Sequence, residues 1–128
     1  MNREDMENRL GLSPRELLEL WEIFLEASHA DVAGIQAGLD DNDPGRVAEA
    51  AHSIKGSAIN LEFVKVAEQA EGIEREAKKG NLAGVREQTR LLRESIKEVA
   101  SMIYRYSGLC QRQERSCPGE EFRGVESR

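Results

Sequence analysis

The apolar positions of this chain recur at steps of three and four residues, the spacing that places side chains on one face of an α-helix. The first such segment begins at "SPRE", where Ser13, Pro14 and Glu16 form the pattern of a capping box, and it fades at "DDND". The sequence therefore predicts a long first helix, with an apolar face made by Leu17, Leu20, Trp21, Phe24, Leu25, Val32, Ile35 and Leu39.

Three further helices are predicted from start signals, stop signals and the same periodicity. Asp43, followed by a proline, starts the second helix, and a break near Glu62 separates it from the third. The third helix ends at Gly80, and Asn81 then caps a fourth helix that Gly108 closes. The inward positions are Val47, Ala50, Ala51, Ile54, Ala58 and Leu61, then Phe63, Val66, Ala67, Ala70, Ile73 and Ala77, and finally Leu82, Val85, Leu92, Ile96, Val99 and Ile103.

Amphipathic helices joined by short loops favour antiparallel neighbours. We therefore expect an all-α fold, an up-down antiparallel four-helix bundle over residues 13–108. Residues 1–12 form an N-terminal segment or a short extra helix. Residues 109–128 are polar and show no periodicity, so they are predicted to be a flexible tail.

Composition narrows the class of protein. The 128 residues carry a net charge of -6, which disfavours a nucleic-acid binder because such proteins need a basic surface. Apolar runs are too short to span a membrane, and the charged start "MNREDMENR" disfavours a secretory signal, so we expect a cytoplasmic protein. Its charged outer faces favour a monomer. Cys110 and Cys117 match no familiar metal-ligand spacing, and we expect reduced thiols and no metal site.

The second helix has an unusual outer face. On a helical wheel His52 lies opposite the apolar arc and points into solvent, with Gly56 one turn further on and Lys55 to one side. A glycine inside a helix costs about 1 kcal/mol relative to alanine. Its bare backbone lets another surface approach the ring closely, and a small apolar patch on a charged surface indicates docking.

The residue types on this face suit phosphoryl transfer. A free imidazole has a pKa near 6.5, so at neutral pH one ring nitrogen keeps a lone pair and can act as a nucleophile. The ammonium of Lys55 can offset charge on phosphoryl oxygens. A nucleotide pocket and a metal-ligand set are missing, so a partner must supply them. The plainer interpretation is a solvated surface histidine with ordinary helix neighbours.

The stretch "AHSIKGSAINL" resembles the histidine-containing phosphotransfer (HPt) domains of multistep phosphorelays. Their signature is a histidine followed by a hydrophobic residue, lysine and glycine, which here are His52, Ile54, Lys55 and Gly56. The family fold is a four-helix bundle with an exposed phosphorylatable histidine. One position departs from the family pattern, because Glu62 stands where a second glycine is common. A non-glycine residue fits there if the turn avoids positive φ or if the helix continues differently.

The resemblance implies roles for further residues. The family has a polar residue on the next helix that hydrogen-bonds the second ring nitrogen, and Glu74 occupies that position within the apolar arc. Glu74 is equally placed to pair with Lys78, where the family often has a basic residue. Receiver docking is expected from residues around the histidine, namely Gly56, Ala48, Glu49, Ile59 and Lys78.

The function implied is a histidine phosphocarrier that shuttles a phosphoryl group between receiver-domain aspartates through His52. The expected partners are receiver domains of hybrid histidine kinases and response regulators. Mg²⁺ is expected on the receiver, with no cofactor held by this chain and no self-sufficient enzyme activity. Alternatives are a helical adaptor without phosphotransfer and the phosphoacceptor domain of a chemotaxis-type kinase. A metal-binding bundle is disfavoured because the core stripes are nearly all apolar.

Overall fold

A computed structural model of the chain describes the backbone of residues 3–113 and the side chains of residues 7–107. Within that range the elements are α1 (Arg3–Leu10), α2 (Pro14–Asp40), α3 (Pro44–Asn60), α4 (Val64–Lys78) and α5 (Val85–Gln113), with no strand. The main contacts join α2 to α3, α3 to α4, α4 to α5 and α5 to α2, which closes a ring of the four long helices. The predicted four-helix bundle with a short N-terminal helix is confirmed. None of the described helices is both long enough and apolar enough to cross a membrane.

The predicted starts of α2 and α3 are confirmed by their caps. Ser13 Oγ accepts a hydrogen bond from the Glu16 N–H at 3.2 Å, and Glu16 Oε1 accepts one from the Ser13 N–H at 2.9 Å. At α3 the Asp43 carboxylate accepts from the Arg46 N–H at 3.2 Å. These bonds satisfy backbone donors that the first helical turn leaves without partners, so each helix begins at a defined residue.

The ends of α2, α3 and α4 share a Schellman geometry, in which the residue after the cap adopts positive φ. That residue is Asn42 (54°), Glu62 (63°) or Gly80 (78°). At the α3 end, the Phe63 N–H donates to the Ala58 carbonyl at 2.9 Å. Glu62 therefore adopts the left-handed conformation, and α3 ends at Asn60. Neither condition under which a non-glycine residue was expected to fit, a turn without positive φ or a continued helix, is met. The conformation costs about 1–2 kcal/mol. The Glu62 side chain forms an ion pair with Arg9 of α1, 2.8 Å long.

The bounds of α5 differ from the prediction at both ends. The helix begins at Val85, because Asn81 does not cap it. The Asn81 side chain instead accepts from the Ala83 N–H at 3.2 Å and donates to Glu76 at 2.9 Å, which holds a separate turn. The helix then continues through Gly108 to Gln113. Residues 109–113 are thus helical rather than part of the predicted tail, and residues 114–128, with Cys117, lie outside the described residues.

The core is built from the predicted apolar stripes. Nearly all predicted inward positions are buried, and the remainder are partly buried and pack against the core, namely Leu20, Leu25, Leu39, Ala50 and Leu82. At one end of the bundle Trp21 lies edge-on to Tyr106 with ring centroids 5.1 Å apart, and Phe24 contacts Phe63 at 5.0 Å. α1 covers this end, since the Tyr106 hydroxyl donates to Glu7 of α1 at 2.6 Å.

Two glycines of α2 differ in the space around them, and this difference predicts opposite effects of alanine. A Cβ at Gly38 would lie 2.8 Å from Val47 Cγ2 and 3.1 Å from the Val47 nitrogen, whereas a Cβ at Gly34 would meet only Ala50, at 3.5 Å. We expect Gly38→Ala to lower the free energy of unfolding by about 1–3 kcal/mol through overpacking. Gly34→Ala should raise it by up to about 1 kcal/mol. Urea unfolding of both variants measures this, and a stabilising Gly38→Ala would contradict the close approach of α2 and α3.

Candidate functional site

His52 lies in the middle of α3, on the face that the bundle leaves open. The buried side of the helix is formed by Val47, Ala51, Ile54 and Ala58. The His52 side chain keeps 66% of its surface exposed. The wheel prediction is therefore confirmed for the histidine, which stands on a rigid helix anchored by its apolar side.

Glu74 on α4 is buried, and three groups converge on its carboxylate. His52 Nδ1 lies 3.0 Å from Oε2, Lys78 Nζ lies 3.1 Å from Oε2, and Lys55 Nζ lies 2.9 Å from Oε1. The Glu74 side chain is only 6% exposed. The two contacts predicted for Glu74, with the imidazole and with Lys78, occur together. The contact with Lys55 was not predicted, because the sequence placed that lysine beside the phosphoryl group.

The electrostatics of this cluster keep the carboxylate ionised. Burial alone would raise the pKa of Glu74, but hydrogen bonds from Lys55, Lys78 and His52 outweigh burial and lower the pKa from 4.5 to about 2. The hydrogen bond to Glu74 in turn raises the pKa of Lys55 against the opposing effect of desolvation. The carboxylate is thus a fixed negative charge at the base of the site.

An ionised carboxylate can only accept hydrogen bonds, so the ring nitrogen facing it must carry the proton. In a neutral imidazole this assigns the proton to Nδ1 of His52 and leaves the lone pair on Nε2. Nε2 has no hydrogen-bond partner among the described residues. The arrangement therefore presents a nucleophilic nitrogen to solvent on a ring whose orientation is set by a buried group.

The other predicted site residues lie on the same outer face of α3. Gly56 borders open space, since a Cβ there would meet no atom within 4 Å, and Ile59 is 57% exposed. Glu49 is exposed, whereas Ala48 is partly buried and packs against the core. Three of these four residues are thus available to a partner, and Ala48 contributes less surface than the wheel suggested.

A groove of about 620 Å³ adjoins Lys55 and was not predicted from the sequence. It is lined by Arg9, Lys55, Ile59, Glu62, Val64, Ala67, Glu68 and Glu71. Val64 is 59% exposed, an unusual position for a branched apolar side chain. The sequence offered one indication of this groove: Val64 directly follows the inward-facing Phe63 at the start of α4, so its side chain points away from the core. Arg9 reaches the groove only because of the way α1 packs on the bundle, and the periodicity of the sequence does not predict that packing.

The described residues hold no group of three or more histidine, cysteine, aspartate or glutamate side chains placed to bind a metal ion. The acidic residue at the centre of the site is already engaged by two ammonium groups and an imidazole N–H.

Known proteins resemble this chain in sequence pattern and in fold. The family model described as "Hpt domain" matches residues 19–102. The fold is similar to the crystal structure of histidine-containing phosphotransfer protein B (HptB) from Pseudomonas aeruginosa PAO1, with a TM-score of 0.74 and 19% sequence identity, covering 82% of this chain and 91% of that one. No curated protein sequence matches the chain significantly.

The lowered pKa of Glu74 predicts a pH-dependent contribution to stability. A carboxyl whose pKa falls on folding stabilises the folded state above its unfolded pKa, and the contribution is lost as the pH falls through the folded value. The unfolding free energy of the native chain minus that of Glu74→Gln should therefore decrease as the pH falls from 4.5 towards 2. Denaturant unfolding between these pH values checks this, with exposed Glu68→Gln on the same helix as control. A difference that does not vary with pH would contradict the ionised carboxylate.

Proposed function

Because the chain belongs to the Hpt domain family, we propose that it is a histidine phosphocarrier whose phosphoacceptor is His52. Histidine phosphotransfer in a phosphorelay is the activity of this family, and the geometry of the site supports the specific steps proposed below. The observation that carries the proposal is the His52–Glu74 hydrogen bond of 3.0 Å on a ring that is otherwise exposed. It leaves Nε2 as the nucleophile and gives that nitrogen unobstructed access to a partner.

The transfer step conserves atoms and charge without a base. The Nε2 lone pair of His52 forms a bond to the phosphorus of an aspartyl phosphate on a receiver domain. The bond from phosphorus to the aspartyl oxygen breaks, and its electrons leave with the carboxylate. The Nδ1 proton stays in place, so the ring becomes a cation that faces the Glu74 carboxylate. The reverse step onto the aspartate of a second receiver completes the relay.

Lys55 supplies the positive charge beside the phosphoryl oxygens in this proposal. It lies one helical turn after His52 and is 24% exposed, so its ammonium is near the ring and partly shielded from water. Phosphoryl transfer needs charge stabilisation and positioning more than covalent help from the protein. Mg²⁺ belongs to the receiver in this scheme, and the carrier is a substrate of the relay rather than an enzyme.

Receiver docking is assigned to the open face of α3 beside the groove. Gly56 gives the partner close access to the helix backbone, Ile59 offers apolar contact, and Glu49 provides charge at the rim. The groove adds the exposed Val64 next to Ile59. Receiver domains of hybrid histidine kinases and response regulators are the partners that this surface would serve. An adaptor without phosphotransfer would use the same surface without needing the imidazole.

Phosphorylation of His52 is the direct test of the proposal. The purified chain is incubated with a phosphorylated receiver domain, and intact mass, acid lability and alkali stability of the label are measured. We expect one acid-labile phosphoryl group on the native chain and none on His52→Gln, since the amide has no nucleophilic nitrogen. A native chain that binds the receiver but stays unlabelled would favour the adaptor alternative.

Alanine at Gly56 should separate folding from docking. The added methyl group meets nothing inside the chain and removes a helix-interior glycine, so the free energy of unfolding should rise by about 1 kcal/mol. Transfer from the receiver should slow by about fivefold or more, because the methyl group intrudes into the docked partner.

Gly72→Ala provides the matched control for this substitution. Gly72 lies within α4, and its added Cβ would meet only Gln88 and Arg75, at 3.5 and 3.9 Å. It should stabilise the chain similarly and leave the transfer rate unchanged. Equal transfer rates for Gly56→Ala and the native chain would argue against docking at this part of α3.

A further inference from the structure

Lys55 and Lys78 both contact Glu74, but only Lys55 lies on the same helix as the phosphoacceptor His52. Lys78 lies four residues after Glu74 on the same helix, with the acidic residue first, which is the favourable order for such a pair. Lys55 reaches the carboxylate from α3, the helix that carries His52. Lys78 is therefore held on Glu74 by the geometry of α4, whereas Lys55 contacts the other carboxylate oxygen, Oε1, from the helix that carries His52.

The charges of the site match those of the group to be transferred. Before phosphorylation the neutral imidazole, the carboxylate and the two ammonium groups that contact one another carry a combined charge of about +1. The phosphoryl unit that moves between partners is metaphosphate-like and brings about one negative charge. The phosphorylated site is then close to neutral. Without Lys78 the same step would leave one uncompensated negative charge beside a buried carboxylate.

The burial of Glu74 explains why a second cation matters. If Lys55 turned to the phosphoryl group in the absence of Lys78, a carboxylate that is only 6% exposed would keep the phosphorylated ring as its single cationic partner. Lys55 would then be held more tightly on Glu74 and would be less available to the phosphoryl group. With Lys78 at 3.1 Å, the carboxylate keeps an ammonium partner beside the ring when Lys55 leaves.

We propose that Lys78 is a positioning residue, the resident counter-ion of Glu74, which releases Lys55 to pair with the phosphoryl group on His52. The proposal rests on the phosphocarrier function. It differs from the docking role that the sequence suggested for Lys78, because the lysine acts through Glu74 rather than on the receiver.

The test measures the fraction of chain phosphorylated at equilibrium with a phosphorylated receiver domain at a fixed ratio. We expect Lys78→Gln to lower the ratio of phosphorylated to free chain by about fivefold, which is the change in an equilibrium constant that loss of one exposed ion pair produces at most. Lys78→Arg should restore it. Lys79→Gln removes the same charge from the next residue, which pairs with Glu76 at 3.8 Å, and should leave the ratio unchanged.

A double-substitution cycle with Glu74→Gln separates the proposal from direct action. If Lys78 acts through the carboxylate, Lys78→Gln should have no further effect once Glu74 is glutamine, because Lys55 is then already free. An undiminished effect in that background would overturn the proposal and assign Lys78 to the phosphoryl group or to the receiver. An effect no larger than that of Lys79→Gln would also overturn it.

A titration without any phosphoryl donor keeps this inference distinct from the proposed function. Side-chain NMR of Lys55 should show a pKa that rises in Lys78→Gln, where Lys55 becomes the sole cation on Glu74, and stays unchanged in Lys79→Gln. If the native chain takes no label, the phosphocarrier function fails, and this titration still decides the counter-ion role. An unchanged pKa of Lys55 in Lys78→Gln would refute that role.

Discussion

A carboxylate inside a helical bundle is the constraint on which the site depends. Glu74 occupies a position that an apolar residue would fill in an ordinary bundle, and its negative charge must be compensated where it stands. That requirement brings an imidazole N–H and two ammonium groups to one point on the α3–α4 face. The orientation of the His52 ring is thus a consequence of neutralising a buried charge.

Most of the fold could be predicted from the sequence because its signals are local. The capping box at Ser13 and the cap at Asp43 fix helix starts through bonds between residues three apart. The end of α5 could not be predicted in this way. A glycine stops a helix only when it adopts left-handed geometry, and Gly108 lies inside α5 instead. Asn81 likewise looked like a cap, yet its side chain bonds the Ala83 N–H within a turn.

The site could be predicted in part. The amphipathic pattern exposed His52 and placed Glu74 within the apolar arc. Their contact was implied by the resemblance to HPt domains, and the wheel position of Glu74 supported it, because a buried carboxylate needs partners. The sequence could not show that Lys55 also turns to Glu74, because that depends on the distance between two helices rather than on spacing along one. Nor could it show that Glu62 accepts positive φ, since the bond from Arg9 that accompanies this conformation comes from α1.

The tight turn at Glu62 makes α3 and α4 a helical hairpin with a fixed register. His52 lies about 15 Å from the turn along one arm, and Glu74 about 18 Å along the other, at 1.5 Å per residue. The positions of His52 and Glu74 are therefore both fixed by their distance along the chain from this turn, and α2 and α5 pack against α3 and α4. One residue inserted between the turn and Glu74 would rotate the carboxylate by about 100° and carry it away from the ring. The number of residues between the turn and each side chain thus determines whether the His52 ring and the Glu74 carboxylate meet. A change in the length of another loop of the bundle would not alter those two numbers.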